Sequence, residues 1–102
     1  MEVIFFNSTI KNYLDSLEKS SKSKSSKYID LLERFGNTLG MPYSRKISHN
    51  LYELRIRSQQ EIRILCCFYN QQAVIVHAFV KKSQKTPRKE IQTALRKIAL
   101  LT

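Results

Sequence analysis

The sequence predicts an α+β domain of order β-α-α-β-β-β-α, with its helices packed on one sheet, and three observations carry that prediction. Three β-type runs, Leu51–Arg57, Ile62–Tyr69 and Ala73–Val80, follow one another across gaps of a few residues. Such short gaps make an antiparallel meander the economical arrangement. Two stretches before these runs and one after them carry apolar residues at helical spacing. The chain has 102 residues, 42% of them hydrophobic, and only two glycines, so residues 1–102 suit one domain with a modest core.

Taken in order, Val3 to Phe6 is a short β-prone run, and Asn7-Ser8 offers an N-cap for a helix over Thr9–Lys19. Within that helix Ile10, Tyr13, Leu14 and Leu17 fall on one face. The stretch SSKSKSSK, Ser20–Lys27, reads as a polar turn whose Ser25 or Ser26 caps the next helix. Tyr28, Leu31, Leu32 and Phe35 repeat the helical spacing, and Gly36 or Gly40 supplies the stop. Met41–Asn50 reads as an irregular connector around Pro42 and the basic pair Arg45-Lys46. In Leu51–Arg57 the alternation is clean: Tyr52, Leu54 and Ile56 point one way, Glu53, Arg55 and Arg57 the other. Thr86-Pro87 opens the last helix with Thr at the N-cap and Pro at the first helical position. Ile91, Leu95 and Ile98 give that helix its apolar face.

Charge is distributed unevenly. Residues 1–40 hold 6 Lys/Arg against 5 Asp/Glu, a net of +1, whereas residues 41–102 hold 12 against 3, a net of +9. An excess of this size in one half favours a polyanionic partner, nucleic acid or an acidic protein. No apolar run approaches the ~18 residues a membrane span needs, and MEVIFF lacks the basic flank of a signal peptide. The expectation is a cytoplasmic protein without membrane attachment. Cys66 and Cys67 are adjacent in an apolar run and read as small buried hydrophobes, since neighbouring strand residues point to opposite faces. His49 and His77 are isolated and no Cys/His pair has ligand spacing, so neither a metal nor another cofactor is expected.

Face arithmetic sharpens the basic half. If Arg57 pairs with Glu61 around a three-residue loop, Arg55 faces Arg63. If the next hairpin closes around two residues, Arg63 shares its side with Val80 and Lys82. Those registers put Arg55, Arg57, Arg63 and Lys82 together, and a one-residue slip would break the set. Arg63 interrupts an apolar run and is either functional or held in an ion pair with Glu53 or Glu61. Clustered guanidinium and ammonium groups suit phosphate. Cleavage of RNA by its own 2′-OH asks mainly for electrostatic stabilisation plus two proton transfers. The same face would also serve an RNA- or ribosome-binding module without catalysis, or a structural partner in a larger complex. His77, inside VIVHAFV, reads first as a strand histidine of the core.

The segments NLYELRIR, EIRILCCFY and AVIVHAFVKKSQKTPRKEIQTAL resemble the HigB-like, phage-derived branch of the RelE toxin superfamily. Leu51 to Arg55, Arg63, Phe79 to Lys82, Gln84 to Pro87 and Glu90-Ile91 carry the resemblance, and the helical half extends it over nearly the whole chain. It implies the toxin of a type II toxin–antitoxin pair: an endoribonuclease that cuts mRNA, often on the ribosome. It further implies a cognate antitoxin, commonly with a helix-turn-helix DNA-binding domain. Carried over by position, Arg55, Arg63 and Lys82 are the expected catalytic residues, and Arg57, Lys81, Lys85, Arg45 and Lys46 the expected phosphate-binding ones. Cys66-Cys67 departs from the family's usual aromatic pair, and Ala78 from its usual glycine.

Overall fold

The alternating runs of the second half build one five-stranded sheet. In the computed structural model, which describes residues 1–101, the elements are β1 (Glu2–Phe5), α1 (Ser8–Asp15), α2 (Lys19–Phe35), β2 (Ser44–Ser48), β3 (Leu51–Arg57), β4 (Glu61–Tyr69), β5 (Gln72–Val80) and α3 (Arg88–Ala99). The strand order is β1-β5-β4-β3-β2, with β1 parallel to β5 and the other pairs antiparallel. The α+β class and the element order are those expected. The Met41–Asn50 connector adds an edge strand, β2, whose Arg45 and Lys46 pair with Glu53 and Tyr52.

Both faces of the sheet are covered, which explains why β4 and β5 are nearly continuous apolar runs. On one face Ile10 and Leu14 of α1 and Leu32 of α2 pack on Leu54, Ile56, Ile62, Ile64, Cys66, Ala73 and Ile75. On the other, Ala94, Ile91 and Ile98 of α3 pack on Leu51, Leu65, Cys67, Val74, Val76 and Phe79. Burial contributes about 1.5–3 kcal/mol for each of the larger aliphatic side chains. Helix α3 covers the end of the sheet that carries Leu65 and Cys67, and leaves open the end where β3 turns into β4. Burial pushes the thiols of Cys66 and Cys67 up to about 12 and about 11, so both cysteines stay protonated and act as core hydrophobes. Among the described residues no helix is long and apolar enough to cross a membrane.

Helix α1 is capped as expected: the Asn7 side chain accepts from the Ile10 N–H at 3.0 Å. It ends at Asp15 rather than Lys19, where the Ser16 hydroxyl donates to the Tyr13 carbonyl at 2.6 Å. The serine-rich stretch is a correction. Ser20–Lys27 is helical throughout, forming the first turns of α2, and its N-cap is Glu18, not Ser25 or Ser26. The Glu18 carboxylate accepts from the Ser20 and Ser21 N–H groups at 2.9 and 2.7 Å and from both serine hydroxyls. Ser21 and Ser25 are buried one turn apart, with Ser21 hydroxyl 2.6 Å from that of Ser58. Ser21, Ser25, Tyr28 and Leu32 thus form one helical stripe, its first half made of small polar residues rather than apolar ones.

These hydrogen bonds, Ser21 first and then Ser20, hold the Glu18 carboxyl down to about 2 against an ordinary 4.5. The folded value lies below the unfolded one, so the cap's contribution is complete above pH ~4.5 and is lost as pH falls towards about 2. Glu18→Gln is therefore expected to lower the melting temperature at pH 6 and to narrow the gap between its stability at pH 6 and at pH 2.5. An unchanged acid profile, followed by circular dichroism melts, would sink this assignment of the cap.

Candidate functional site

Two turns set the registers that bring side chains together at the open end of the sheet, one at that end and one at the far end. Arg57 pairs with Glu61 across the three-residue loop Ser58-Gln59-Gln60, so Arg55 stands directly opposite Arg63. The second hairpin pairs Tyr69 with Gln72 around two residues, and Asn70 and Gln71 both take positive φ, 53° and 62°. That is the backbone twist two-residue hairpins favour, here without glycine. Asn50, also at positive φ, binds the Phe68 backbone from both ends of its amide, at 2.9 and 3.0 Å, and so extends the pairing beyond β3.

A β-bulge then changes which lysine joins the arginines. The β4–β5 register shifts between Leu65 and Cys66, so that Leu65 pairs with His77 and Arg63 with Phe79, not Ala78. Beyond the strand the Lys81 N–H donates to the Glu61 carbonyl at 2.7 Å. Lys81, and not Lys82, therefore continues the side of the sheet that carries Arg63, because one inserted residue exchanges the two faces. Lys82 reaches the same site from the loop that follows.

The result is a cleft of about 500 Å³ lined by Arg55, Arg57, Glu61, Arg63, Lys81, Lys82, Ser83 and Gln84. An adjoining hollow of about 370 Å³ shares Arg55, Lys81 and Gln84 with it and adds Arg45, Glu53, Lys85 and Thr86. Seven of the eight expected site residues thus line one continuous depression. Lys46 does not: it pairs with Tyr52, whose side chain packs in the α1–α2 core on the opposite face.

Arg63 is the floor of this cleft. Its side chain is 1% exposed, with Nε 3.7 Å from Glu53 and Nη2 3.4 Å from Glu61. Both ion-pair partners named from the sequence are therefore present. Nε makes no hydrogen bond among the described residues. Glu53 is a hub as buried as Arg63. It takes a hydrogen bond from the Thr86 hydroxyl at 2.5 Å and lies 3.9 Å from Arg45. The expected N-cap role of Thr86 is corrected by this contact: Pro87 occupies the cap position of α3, without a side-chain cap. Thr86 instead ties the loop after β5 to the middle of β3.

Among the described residues Arg55, Lys81, Lys82 and Lys85 line the depression outside any ion pair; Arg55 and Lys81 are half-buried, Lys82 and Lys85 exposed. Arg57 is exposed too and pairs with Glu61 at 3.6 Å. Burial, then the neighbouring Arg63 and Arg55 charges, lower the Lys81 amine from the usual lysine range, against the pull of Glu53 and Glu61. Chemically, the cleft can bind a phosphate group through forked and point-charge donors and can offer one amine that gives up its proton more readily than an ordinary lysine.

Glu61, named from the sequence as a partner of Arg63, supplies the cleft's half-exposed carboxylate. One contact had no readable signal in the sequence. His77 has a partner after all, Glu90 of α3 at 3.0 Å, and its ring stacks on Phe79 at 5.7 Å. This pair joins β5 to the first turn of α3, outside the residues that line the cleft. Among the described residues no three His, Cys, Asp or Glu side chains stand together as a metal cage.

No curated protein matches the sequence. Residues 12–99, from within α1 to the end of α3, match the model of a protein family described as Phage derived protein Gp49-like (DUF891). That span contains every residue of the cleft, and the chain accordingly belongs to the phage-derived Gp49-like family, a family of RelE-toxin-like proteins.

Proposed function

We propose that this protein is the toxin of a type II toxin–antitoxin system of the HigB-like kind, a metal-independent endoribonuclease that cuts mRNA on the ribosome in the cytoplasm. The observation that carries the reading is the cleft itself, in which Arg55, Arg57, Lys81 and Lys82 surround a single half-exposed carboxylate. Family membership is consistent with a toxin.

In this mechanism the scissile phosphate sits between Arg55 and Lys82, with Arg57, Lys85 and Arg45 guiding the flanking backbone. The neutral amine of Lys81 takes the proton from the 2′-OH, whose oxygen attacks phosphorus. Negative charge grows on the phosphorane oxygens, where the fixed cations are worth most. The bond to the 5′-oxygen breaks, that oxygen takes up a proton from water while the Lys81 ammonium later returns its proton to solvent, and the products carry a 2′,3′-cyclic phosphate and a 5′-OH. Arg63 does not touch the substrate in this scheme. It holds Glu53 and Glu61, and through them the loop bearing Lys81 and Lys82.

The antitoxin would carry an acidic segment to neutralise the basic half, and a helix-turn-helix domain for DNA. A second reading, a non-catalytic RNA- or ribosome-binding module, gains from the burial of Arg63, since a side chain 1% exposed is out of reach of a phosphate. Primer extension on ribosome-bound mRNA incubated with purified protein decides between them. Discrete new 5′ ends are expected. Bound but uncut message would select the second reading, and no association with RNA or ribosomes would refute both.

A further inference from the structure

Beside the phosphate cleft, on the α2 side of the same two arginines, lies a second hollow of about 340 Å³ lined by Lys24, Tyr28, Met41, Pro42, Arg55 and Arg57. We propose that it is a nucleobase-stacking subsite for the nucleotide next to the phosphate in the cleft. The inference rests on the RNA reading above and adds to it a place for the base.

Four observations point to a flat, uncharged group with a phosphate attached. Arg55 and Arg57 line both hollows. A guanidinium that donates in its plane to phosphate still presents its face to a ring. The Tyr28 ring is only partly buried, and Tyr43 packs on it edge to face at 5.5 Å and 76°, an arrangement that fixes the ring's orientation. Met41 is 62% exposed and belongs to neither core cluster. Its polarizable side chain lines the hollow with Tyr28 and Pro42, where it can pack on the face of a ring. Lys24 is held at the rim by a hydrogen bond from its ammonium to the Arg57 carbonyl, which keeps a cation beside the mouth without filling it. Stacking reads a base's face rather than its edge, so the subsite is expected to tolerate any base and to favour the larger purines.

The test compares two short oligonucleotides with a deoxyribose at the cleavage position, which cannot be cut. They carry the same phosphates and differ only in whether the flanking nucleotide has its base or is abasic. By fluorescence anisotropy, wild-type protein is expected to bind the base-containing strand about tenfold more tightly. Tyr28→Leu, which keeps an apolar side chain but removes the ring, is expected to bind both strands at the abasic level, and Tyr28→Phe to restore the difference. Met41→Ser, at an exposed position, is expected to shrink the difference without changing abasic binding, and it serves if Tyr28→Leu does not fold. Equal binding of both strands by wild-type protein overturns the stacking subsite and leaves the RNA reading standing. Failure to bind either strand, both free and in the presence of ribosomes, overturns both.

Discussion

Glu53→Ala lowers the unfolding free energy by about 3–5 kcal/mol, the cost of leaving a buried charge without its partner. Glu53 and Arg63 are each only 1% exposed, and the Arg63 Nε lies 3.7 Å from the Glu53 carboxylate. Removing the carboxylate strands a guanidinium in the sheet beside Arg55, with only half-exposed Glu61 left to answer it. The same change releases the Thr86 hydroxyl, and with it the tie between β3 and the loop carrying Lys81 and Lys82. Replacing both members of the pair, Glu53→Leu with Arg63→Met, is expected to cost less than either single change, because no buried charge is then left alone. Urea denaturation of Glu53→Ala, the two single changes and the double variant measures this. A loss under about 1 kcal/mol for Glu53→Ala would mean that the pair behaves as an exposed one and that the cleft floor is wet.

Loss of catalysis is the second large effect. Under the proposed mechanism Arg55→Ala reduces the cleavage rate by about 10²–10³-fold, the size seen when one fixed donor to developing charge is removed. The side chain is half-buried, and the strand pairing at this position is made by the Arg55 N–H, which donates to the Tyr43 carbonyl at 3.0 Å. The variant should therefore fold, and growth arrest on expression should be relieved. Lys81 gives the pH signature. Its amine loses its proton below the usual lysine range, and only the neutral form accepts the 2′-OH proton. Activity therefore climbs with pH up to that lowered value and then levels off. Lys81→Arg keeps the charge but removes the titration, so it should abolish this rise along with most of the activity. A variant that retained the wild-type pH profile would assign the proton transfer to another group, and full activity in Arg55→Ala would remove the cleft from the mechanism.

Much of this architecture is legible in the sequence. Period-two alternation placed Arg55 and Arg57 on the side opposite Leu54 and Ile56, and a three-residue loop sufficed to set Arg55 against Arg63, as the register bears out. The Asn7 cap and the Ile10–Leu14 face of α1 were equally local. Such features depend on residues a few positions apart, where spacing alone decides which side chains can meet.

What remained hidden involves partners brought together from afar. The bulge in β5 exchanged Lys82 for Lys81 on the face of Arg63, and one extra residue in a strand leaves no mark in composition or spacing. Ser21 and Ser25 begin a helix because Glu18 caps it and because small side chains let it approach Ser58; a search for apolar periodicity passes over them. Thr86 carries the pattern of a helix cap, yet its hydroxyl serves Glu53, 33 residues away in the chain. His77 finds Glu90 only once α3 has packed on the sheet. By itself the sequence determined the α+β class, four of the five strands and the arginine-bearing side of β3, because backbone periodicity makes those choices locally. Tertiary structure alone decided which lysine joins the arginines, how deeply Arg63 is buried and what the Lys81–Thr86 loop is tied to, because each depends on a contact between segments far apart in the chain.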